Sequence, residues 1–224
     1  MHVERKSGII LALDVLEREQ ALNLLKLVSK DIDCIKIGYP TVLSIGLDIV
    51  QQLKSVYEIP IIADFKVSDV PHISRRIVRL SIDAGFDGVL IHGFIGPDGV
   101  EACINEAGEK MIFVVTELTS PGGEIFTQPI SEDIARMAKE LGAYGIQAPG
   151  TRPERIKRLK QIVGDDLTII SCGIGAQGPK PGSAIKAGAD FEIIGRTIYA
   201  SSNPVEATNN IKRLIQEAIR TSGR

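Results

Sequence analysis

The amino-acid sequence predicts an α/β protein whose eight strands close into a (β/α)₈ TIM barrel, folded as a single domain over residues 1–224. Short apolar runs alternate with helical patterns from one end of the chain to the other, which gives eight β-then-α units. Charged and polar residues also collect where successive apolar runs end, and a barrel builds its active site at those ends. An open doubly wound sheet is the alternative, but no Gly-x-Gly-x-x-Gly motif follows the first run, as a dinucleotide-binding fold requires.

Composition and charge narrow the class of protein. Of 224 residues, 44% are hydrophobic, which is enough to bury a substantial core. The formal charge of −2 gives no reason to expect a nucleic-acid partner or an anionic membrane partner. The basic residues within 152–160 fit the solvent-facing side of a helix.

Targeting and redox signals point to the cytoplasm. The longest apolar run near the start, residues 8–13, is too short for a secretion signal, and no stretch approaches the length of a membrane span. Cys34, Cys103 and Cys172 are odd in number and widely spaced, so neither a disulfide framework nor a zinc site is expected.

Each predicted strand is a short apolar run of the kind that is buried on both faces in a parallel sheet. The predicted strands lie near residues 8–14, 33–37, 60–66, 87–92, 111–117, 143–147, 167–172 and 190–195.

Helical periodicity fills the intervals between these strands. The predicted helices lie near residues 17–29, 41–56, 72–84, 97–108, 131–141, 152–163, 180–187 and 204–219. Thr151 and Glu154 match a capping box at the start of the sixth helix, and Gly164 follows its end. The last helix is expected to open at Asn203-Pro204.

The third strand ends in a dense group of charges, Asp64-x-Lys66-x-x-Asp69. Asp64 and Lys66 are two residues apart and therefore point to the same face of the strand, while Asp69 follows in the turn before Pro71 starts a helix. Ionised groups cost several kcal/mol to remove from water unless they are paired. A salt-bridged strand end and an active site are both compatible with this segment.

Charges at neighbouring strand ends favour the active site. The first strand ends in Asp14, the second carries Lys36 and the third supplies Asp64 and Lys66, so opposite charges alternate around one rim. A Schiff-base lysine needs a depressed pKa, usually from desolvation or a nearby cation. An ammonium group between two carboxylates is better suited to donate a proton.

The fourth and fifth strand ends are less specific. His92 ends the fourth strand, and a lone histidine is most often structural. Residues 116–122 are rich in hydroxyl groups, which suits either hydrogen bonding to a heterocycle or ordinary loop capping.

Two glycine-rich segments follow the last two strands. Glycines in 171–178 let backbone N–H groups approach an anion, and Arg196, within 193–199, can donate two hydrogen bonds to a phosphate. Barrels commonly bind phosphate in these two loops, so a phosphate site is predicted there.

With these elements in place, the chain resembles the orotidine 5′-monophosphate decarboxylases, in the compact form typical of archaea. The Asp-x-Lys-x-x-Asp array marks a wider suprafamily, and its combination with Lys-Ile-Gly on the second strand and Gly-Ala-Gln-Gly after the seventh is specific to the decarboxylases. The resemblance covers nearly the whole chain and is carried by residues 11–14, 36–40, 63–69, 91–94, 151–154, 175–178 and 195–196.

The resemblance implies conversion of orotidine monophosphate to uridine monophosphate and CO₂, with no cofactor and no metal. It implies that Asp64 lies beside the leaving carboxylate and that Lys66 stabilises and protonates the carbanion at C6. Lys36 would bind ribose and orient the charges. Asp69 would reach the neighbouring subunit's site in an obligate homodimer.

The resemblance also assigns residues that bind the substrate. Asp14 would bind a ribose hydroxyl, and Thr119 would contact the pyrimidine. Gln177 would bridge pyrimidine and phosphate, with Gly195 and Arg196 holding the phosphate.

Three positions depart from the family pattern. Thr119 replaces a frequent serine and keeps the hydroxyl group. Ile73 replaces a threonine that commonly contacts the partner's ribose, and Ser74 is a candidate substitute. Cys172 replaces the usual proline before the Gly-x-Gly run, which is expected to loosen the closing loop.

The residues are also compatible with two other functions. Sugar-phosphate decarboxylases and hexulose-phosphate synthases of the same suprafamily share the array but bind Mg²⁺, and Lys36 would put positive charge where that cation sits. A non-catalytic nucleotide-binding barrel is the other alternative, which a turnover assay would separate from an enzyme.

Overall fold

The computed structural model describes residues 3–176 and 178–222, and it confirms the predicted barrel. Eight parallel strands are hydrogen-bonded in chain order, and the eighth pairs with the first to close the sheet. The strands are β1 Ile9–Ala12, β2 Cys34–Gly38, β3 Ile61–Val67, β4 Gly88–His92, β5 Met111–Val115, β6 Gly145–Pro149, β7 Thr168–Cys172 and β8 Phe191–Ile194.

Helices cover the outside of the barrel and connect successive strands. They are α1 Arg18–Val28, α2 Tyr39–Ile45, α3 Asp48–Lys54, α4 Pro71–Asp83, α5 Gly96–Ala107, α6 Pro121–Phe126, α7 Ser131–Glu140, α8 Pro153–Val163, α9 Ser183–Ala187, α10 Arg196–Tyr199 and α11 Pro204–Ser222. Short 3₁₀ turns lie at Ser29–Asp31, Gly93–Ile95 and Gln128–Ile130. None of these helices in the described ranges is long and apolar enough to cross a membrane.

The core has two layers because successive strand residues point to opposite faces of the sheet. On β5, Ile112 and Val114 pack in the layer between sheet and helices. Met111, Phe113 and Val115 belong to the cluster inside the barrel. Both faces of the strand are therefore apolar, which is why the strands appear in the sequence as continuous apolar runs.

The predicted helix at 41–56 is wrong as a single element, because the structure divides it into α2 and α3. Gly46 separates them with a φ of +101°, a backbone conformation that side chains other than glycine rarely adopt. Its N–H donates to the carbonyl of Val42 at 3.0 Å and so closes α2. The sequence prediction also omitted the short helices α6 and α10.

The capping box predicted for α8 does not form. Arg152 is the N-cap residue, and in the described part of the chain no side chain caps this helix. Thr151 instead donates through Oγ1 to the carbonyl of Thr119 at 3.3 Å. The N-terminus of α11 agrees with prediction, since the backbone N–H of Glu206 donates to Asn203 Oδ1 at 3.2 Å.

Candidate active site

A cavity of about 570 Å³ opens at the carboxyl ends of the strands. Side chains from β1–β3 form one wall, and residues of β6, β7 and β8 together with the segments that follow β5, β6, β7 and β8 form the rest. Barrel enzymes place their active sites at this end. The cavity is therefore the candidate active site.

Four of the charges predicted at the strand ends meet on the wall formed by β1–β3. Lys36 Nζ lies 2.7 Å from Asp64 Oδ2 and 3.5 Å from Asp14 Oδ1. Lys66 Nζ lies 2.5 Å from Asp64 Oδ1. Each oxygen of Asp64 is therefore paired with a different ammonium group. Together these distances confirm that the four charges predicted at the strand ends converge.

Burial and pairing act against each other at the centre of this cluster. The side chains of Lys36 and Asp64 are only 7% and 9% exposed. Burial alone would raise the pKa of Asp64, but the charges of Lys36 and Lys66 hold that pKa below its usual range. Burial alone would lower the pKa of Lys36, but the charges of Asp64 and Asp14 outweigh it and raise that pKa. Both groups are therefore ionised at neutral pH.

The backbone at the end of β3 is irregular where Lys66 leaves the sheet. The pairing of β3 with β4 shifts register between Ala63 and Val67, and Lys66 has a φ of +43°. Such a conformation is unfavourable for a residue with a side chain and is often found at functional sites. Phe65 packs in the layer under the helices, while Lys66 reaches the cavity.

Asp69 does not join the cluster within its own chain. Asp69 is exposed, and its Oδ1 accepts a hydrogen bond from the N–H of Val70 at 2.7 Å. Within the described residues its carboxylate forms no ion pair. Ser74 is buried and its hydroxyl donates to the backbone carbonyl of Asp69 at 2.8 Å, so Ser74 is not free to replace the threonine missing at Ile73.

A buried ion pair that the sequence did not predict holds the loop after β5. Glu117 is fully buried, with its Oε1 2.7 Å from Arg152 Nε and its Oε2 3.2 Å from Arg155 Nε. Arg152 also donates to the carbonyls of Leu118 and Thr119. The prediction that residues 152–160 face solvent is therefore wrong for Arg152, which positions the chain at Thr119.

The two glycine-rich loops, after β7 and β8, are joined to each other at the cavity. The backbone N–H of Ala176 donates to Thr197 Oγ1 at 3.1 Å. Gly173 and Gly175 have φ values of +82° and +89°, which explains glycine at both positions.

The predicted phosphate-binding residues lie on these loops as far as the structure describes them. Gly195 and Arg196 line the cavity, where Arg196 is the first residue of α10. Thr119 lines it from the loop after β5. Gln177, which is also predicted to bind the substrate, lies outside the described residues.

Two further groups near the cluster are neutral. The ring of His92 stacks on Phe94 with centroids 4.4 Å apart, and burial, followed by repulsion from Lys66, lowers the pKa of His92 to about 4. Its Nδ1 is buried and has no hydrogen-bond partner among the described residues. Burial raises the pKa of the Cys172 thiol to about 11.

The fold and the site define a barrel enzyme that carries paired lysine and carboxylate groups at the ends of its strands. Within that class, the chain belongs to the family described as orotidine 5'-phosphate decarboxylase / HUMPS, whose model matches residues 7–211.

Individual relatives agree with this assignment. A relative from Methanosarcina barkeri, named orotidine 5'-phosphate decarboxylase, is 50% identical over 216 residues, covering 96% of this chain and 97% of the relative. A crystal structure of orotidine 5'-monophosphate decarboxylase from Methanocaldococcus jannaschii, complexed with inhibitor BMP, has a TM-score of 0.87 at 40% identity. The match covers 92% of this chain and 97% of that one. A structure of the Pyrococcus horikoshii enzyme has a TM-score of 0.86 at 41% identity, covering 93% and 99%.

The opposing effects on Asp64 lead to a prediction about pH. In the Lys36→Met variant, burial acts against a single ammonium group, so the pKa of Asp64 should rise. A carboxyl group with a depressed pKa stabilises the fold above its unfolded value of 3.8 and loses that contribution as pH falls through the folded pKa. In the variant, the acid loss of stability due to Asp64 should therefore be smaller and should end at a higher pH, because its folded pKa lies closer to 3.8.

Carbon-13 NMR titration of the Asp64 carboxyl group measures this directly. Lys157→Met, at an exposed position of α8, is the matched control and should leave the midpoint unchanged. An unchanged midpoint in Lys36→Met would contradict the proposed balance between burial and pairing.

Proposed function

We propose that this protein decarboxylates orotidine 5′-monophosphate to uridine 5′-monophosphate and CO₂, as the names of its relatives indicate for those proteins. The observation that carries the proposal is the buried cluster in which Asp64 pairs with both Lys36 and Lys66. A fixed set of charges is of little use in simple nucleotide binding, but it suits a reaction in which charge moves from a carboxylate to a ring carbon.

In the proposed reaction, the bond between C6 and the carboxylate breaks and its electron pair remains on C6. The ammonium group of Lys66 stabilises that charge and then transfers a proton to C6. Lys66 is 35% exposed, so the amine can regain a proton from water. Asp64 lies beside the leaving carboxylate, and Lys36 holds Asp64 in place at 2.7 Å.

The remaining predicted residues serve to bind the nucleotide. Asp14, at the edge of the cluster, and Lys36 would take the ribose, and the Thr119 hydroxyl would take the pyrimidine. Gly195 and Arg196 would hold the phosphate on the loop side of the cavity, with Gln177 between the base and the phosphate. Phosphate binding far from C6 can drive loop closure and orient the base at the reacting carbon.

The pairing of Asp64 also supports a mechanism without a metal ion. Both carboxylate oxygens are within 2.7 Å of lysine ammonium groups, so a bound divalent cation would have to displace a positive charge from each. This arrangement favours the decarboxylase over the Mg²⁺-dependent enzymes of the suprafamily.

The position of Asp69 supports a homodimer with shared sites. Asp69 faces solvent in the single chain, although it belongs to the same motif as Asp64 and Lys66. Two apolar residues in the segments after β3 and β4, Val70 and Phe94, are about half exposed, at 52% and 49%. A partner subunit would cover these apolar groups and receive Asp69 in its own site.

Turnover without metal is the first expected outcome. Purified protein treated exhaustively with EDTA should consume orotidine monophosphate at the same rate as untreated protein. The rate is measured by the loss of the substrate's ultraviolet absorbance. No turnover in either sample would contradict the proposed function. Activity that disappears with EDTA and returns with Mg²⁺ would instead support a metal-dependent relative.

Removing the proposed proton donor should separate catalysis from binding. Lys66→Ala should lower kcat by at least about a thousand-fold, because Lys66 acts on charge that develops only in the transition state. Uridine monophosphate lacks that charge, so its binding should change much less. Lys26→Ala, at an exposed position of α1, serves as the control. A Lys66→Ala variant with a tenth of the wild-type kcat would remove Lys66 from this role.

Mixing two inactive variants tests the shared site. Lys66→Ala and Asp69→Ala homodimers each carry two defective sites, but a hybrid dimer carries one site with both native residues and one with neither. Random reassociation makes about half of the dimers hybrids, so about one quarter of wild-type activity should return.

The alternative gives a different result. If Lys66 and Asp69 of the same chain served one site, every site in the mixture would keep one defect. Hybrid dimers confirmed by mass spectrometry but without recovered activity would exclude the shared site.

A further inference from the structure

Gln147 is a polar residue in an otherwise apolar part of the barrel interior. It lies in the middle of β6, where its neighbours Ile146 and Ala148 pack in the outer layer, so Gln147 points inward. Its sheet partners Val115 and Ile170 both belong to the apolar cluster inside the barrel. Gln147 is 2% exposed, and it lines the active-site cavity.

The backbone and the side-chain amide of Gln147 differ in their hydrogen bonding. Its backbone carbonyl accepts from the N–H and the Oγ1 of Thr116, at 3.2 and 2.9 Å. Within residues 3–176 and 178–222, however, no group forms a hydrogen bond with the side-chain amide. An amide carries two donors and an acceptor, and because Gln147 lines the cavity these groups are available to a ligand there. A ligand in the cavity would supply the missing partner.

The position of Gln147 indicates which part of the ligand it meets. In a closed barrel of eight strands, β6 lies opposite β2, so Gln147 faces the wall that carries Lys36 and Asp64. These three side chains arise within strands and lie at the deep end of the cavity. Thr119 lies in the loop after β5 and Arg196 is the first residue of α10, so both lie beyond the ends of their strands, at the mouth of the cavity. The deep end is where the reacting group of the substrate must lie.

We propose that the Gln147 amide donates a hydrogen bond to the carboxylate that the reaction removes, an inference that rests on the proposed function. Asp64 repels that carboxylate from one side, and a neutral donor on the facing wall holds it without adding a charge. As the carboxylate becomes CO₂, its oxygens lose their negative charge and the hydrogen bond weakens. Gln147 therefore contributes to binding of the substrate and not to the rate of bond breaking.

Replacing the amide with an apolar group of similar length tests the proposal. Gln147→Met should raise KM for orotidine monophosphate by about ten-fold or more, the size expected for a hydrogen bond to a charged group. The kcat should stay equal or increase, because the lost interaction favoured the ground state. The inhibition constant of uridine monophosphate, which has no carboxylate, should change by less than about two-fold.

Two further variants complete the experiment. Gln161→Met, at an exposed position of α8, should leave every constant unchanged. Gln147→Glu keeps the shape of the side chain but replaces the donor with a carboxyl group. It should weaken binding of orotidine monophosphate more than binding of uridine monophosphate, and it supplies the test if the methionine variant does not fold.

The outcomes distinguish this proposal from the function on which it rests. Equal weakening of substrate and product would show that the amide binds the ring or the ribose, and no change in either would show that it binds no part of the nucleotide. Both results overturn the proposal while wild-type turnover stands. Failure of the wild-type protein to consume orotidine monophosphate would overturn the proposed function itself.

Discussion

The pairing of one buried carboxylate with two lysines is the interaction on which the site depends. Asp64 can remain ionised at 9% exposure only because Lys36 and Lys66 occupy its two oxygens. The closed sheet makes this possible, since β2 and β3 are neighbours and Gly38 lies opposite Asp64 in their register. Loss of either lysine would leave a charge without its partner in a partly dry environment, so the three side chains form one unit and not three independent contributions.

A second buried ion pair and an unusual backbone conformation position the rest of the site. Glu117 and Arg152 join the loops after β5 and β6, and the carbonyl contacts of Arg152 place Thr119 on the wall of the cavity. On the other side, the register shift at the end of β3 and the positive φ of Lys66 direct its ammonium group toward Asp64. A conformation that is unfavourable in isolation persists because the surrounding sheet and ion pairs determine it.

Local sequence patterns predicted what depends on local structure. Apolar runs identified all eight strands, and two-residue spacing placed Asp64 and Lys66 on one face. Contacts between distant segments were not predictable in this way. Thr151 matched a capping box, yet its hydroxyl binds a carbonyl 32 residues away, and Arg152 looked like a solvent-facing residue although its partner Glu117 lies 35 residues earlier. The partner of each lies in the distant segment after β5, and that proximity is a property of the whole fold.

In the proposed function, the division between residues within strands and residues beyond the strand ends would let one cavity both bind the nucleotide and catalyse its reaction. Lys36, Asp64 and Gln147 arise within strands whose backbone is fixed on both sides by the sheet, so their groups are in place before the substrate arrives. Thr119 and Arg196 lie beyond the strand ends, and in the proposed function the segments that carry them would open to admit the nucleotide and close on its phosphate. Closure would then remove water around charges that are already paired with one another. Because those charges need little rearrangement, the binding energy gained at the mouth can be used to orient the reacting carbon at the deep end.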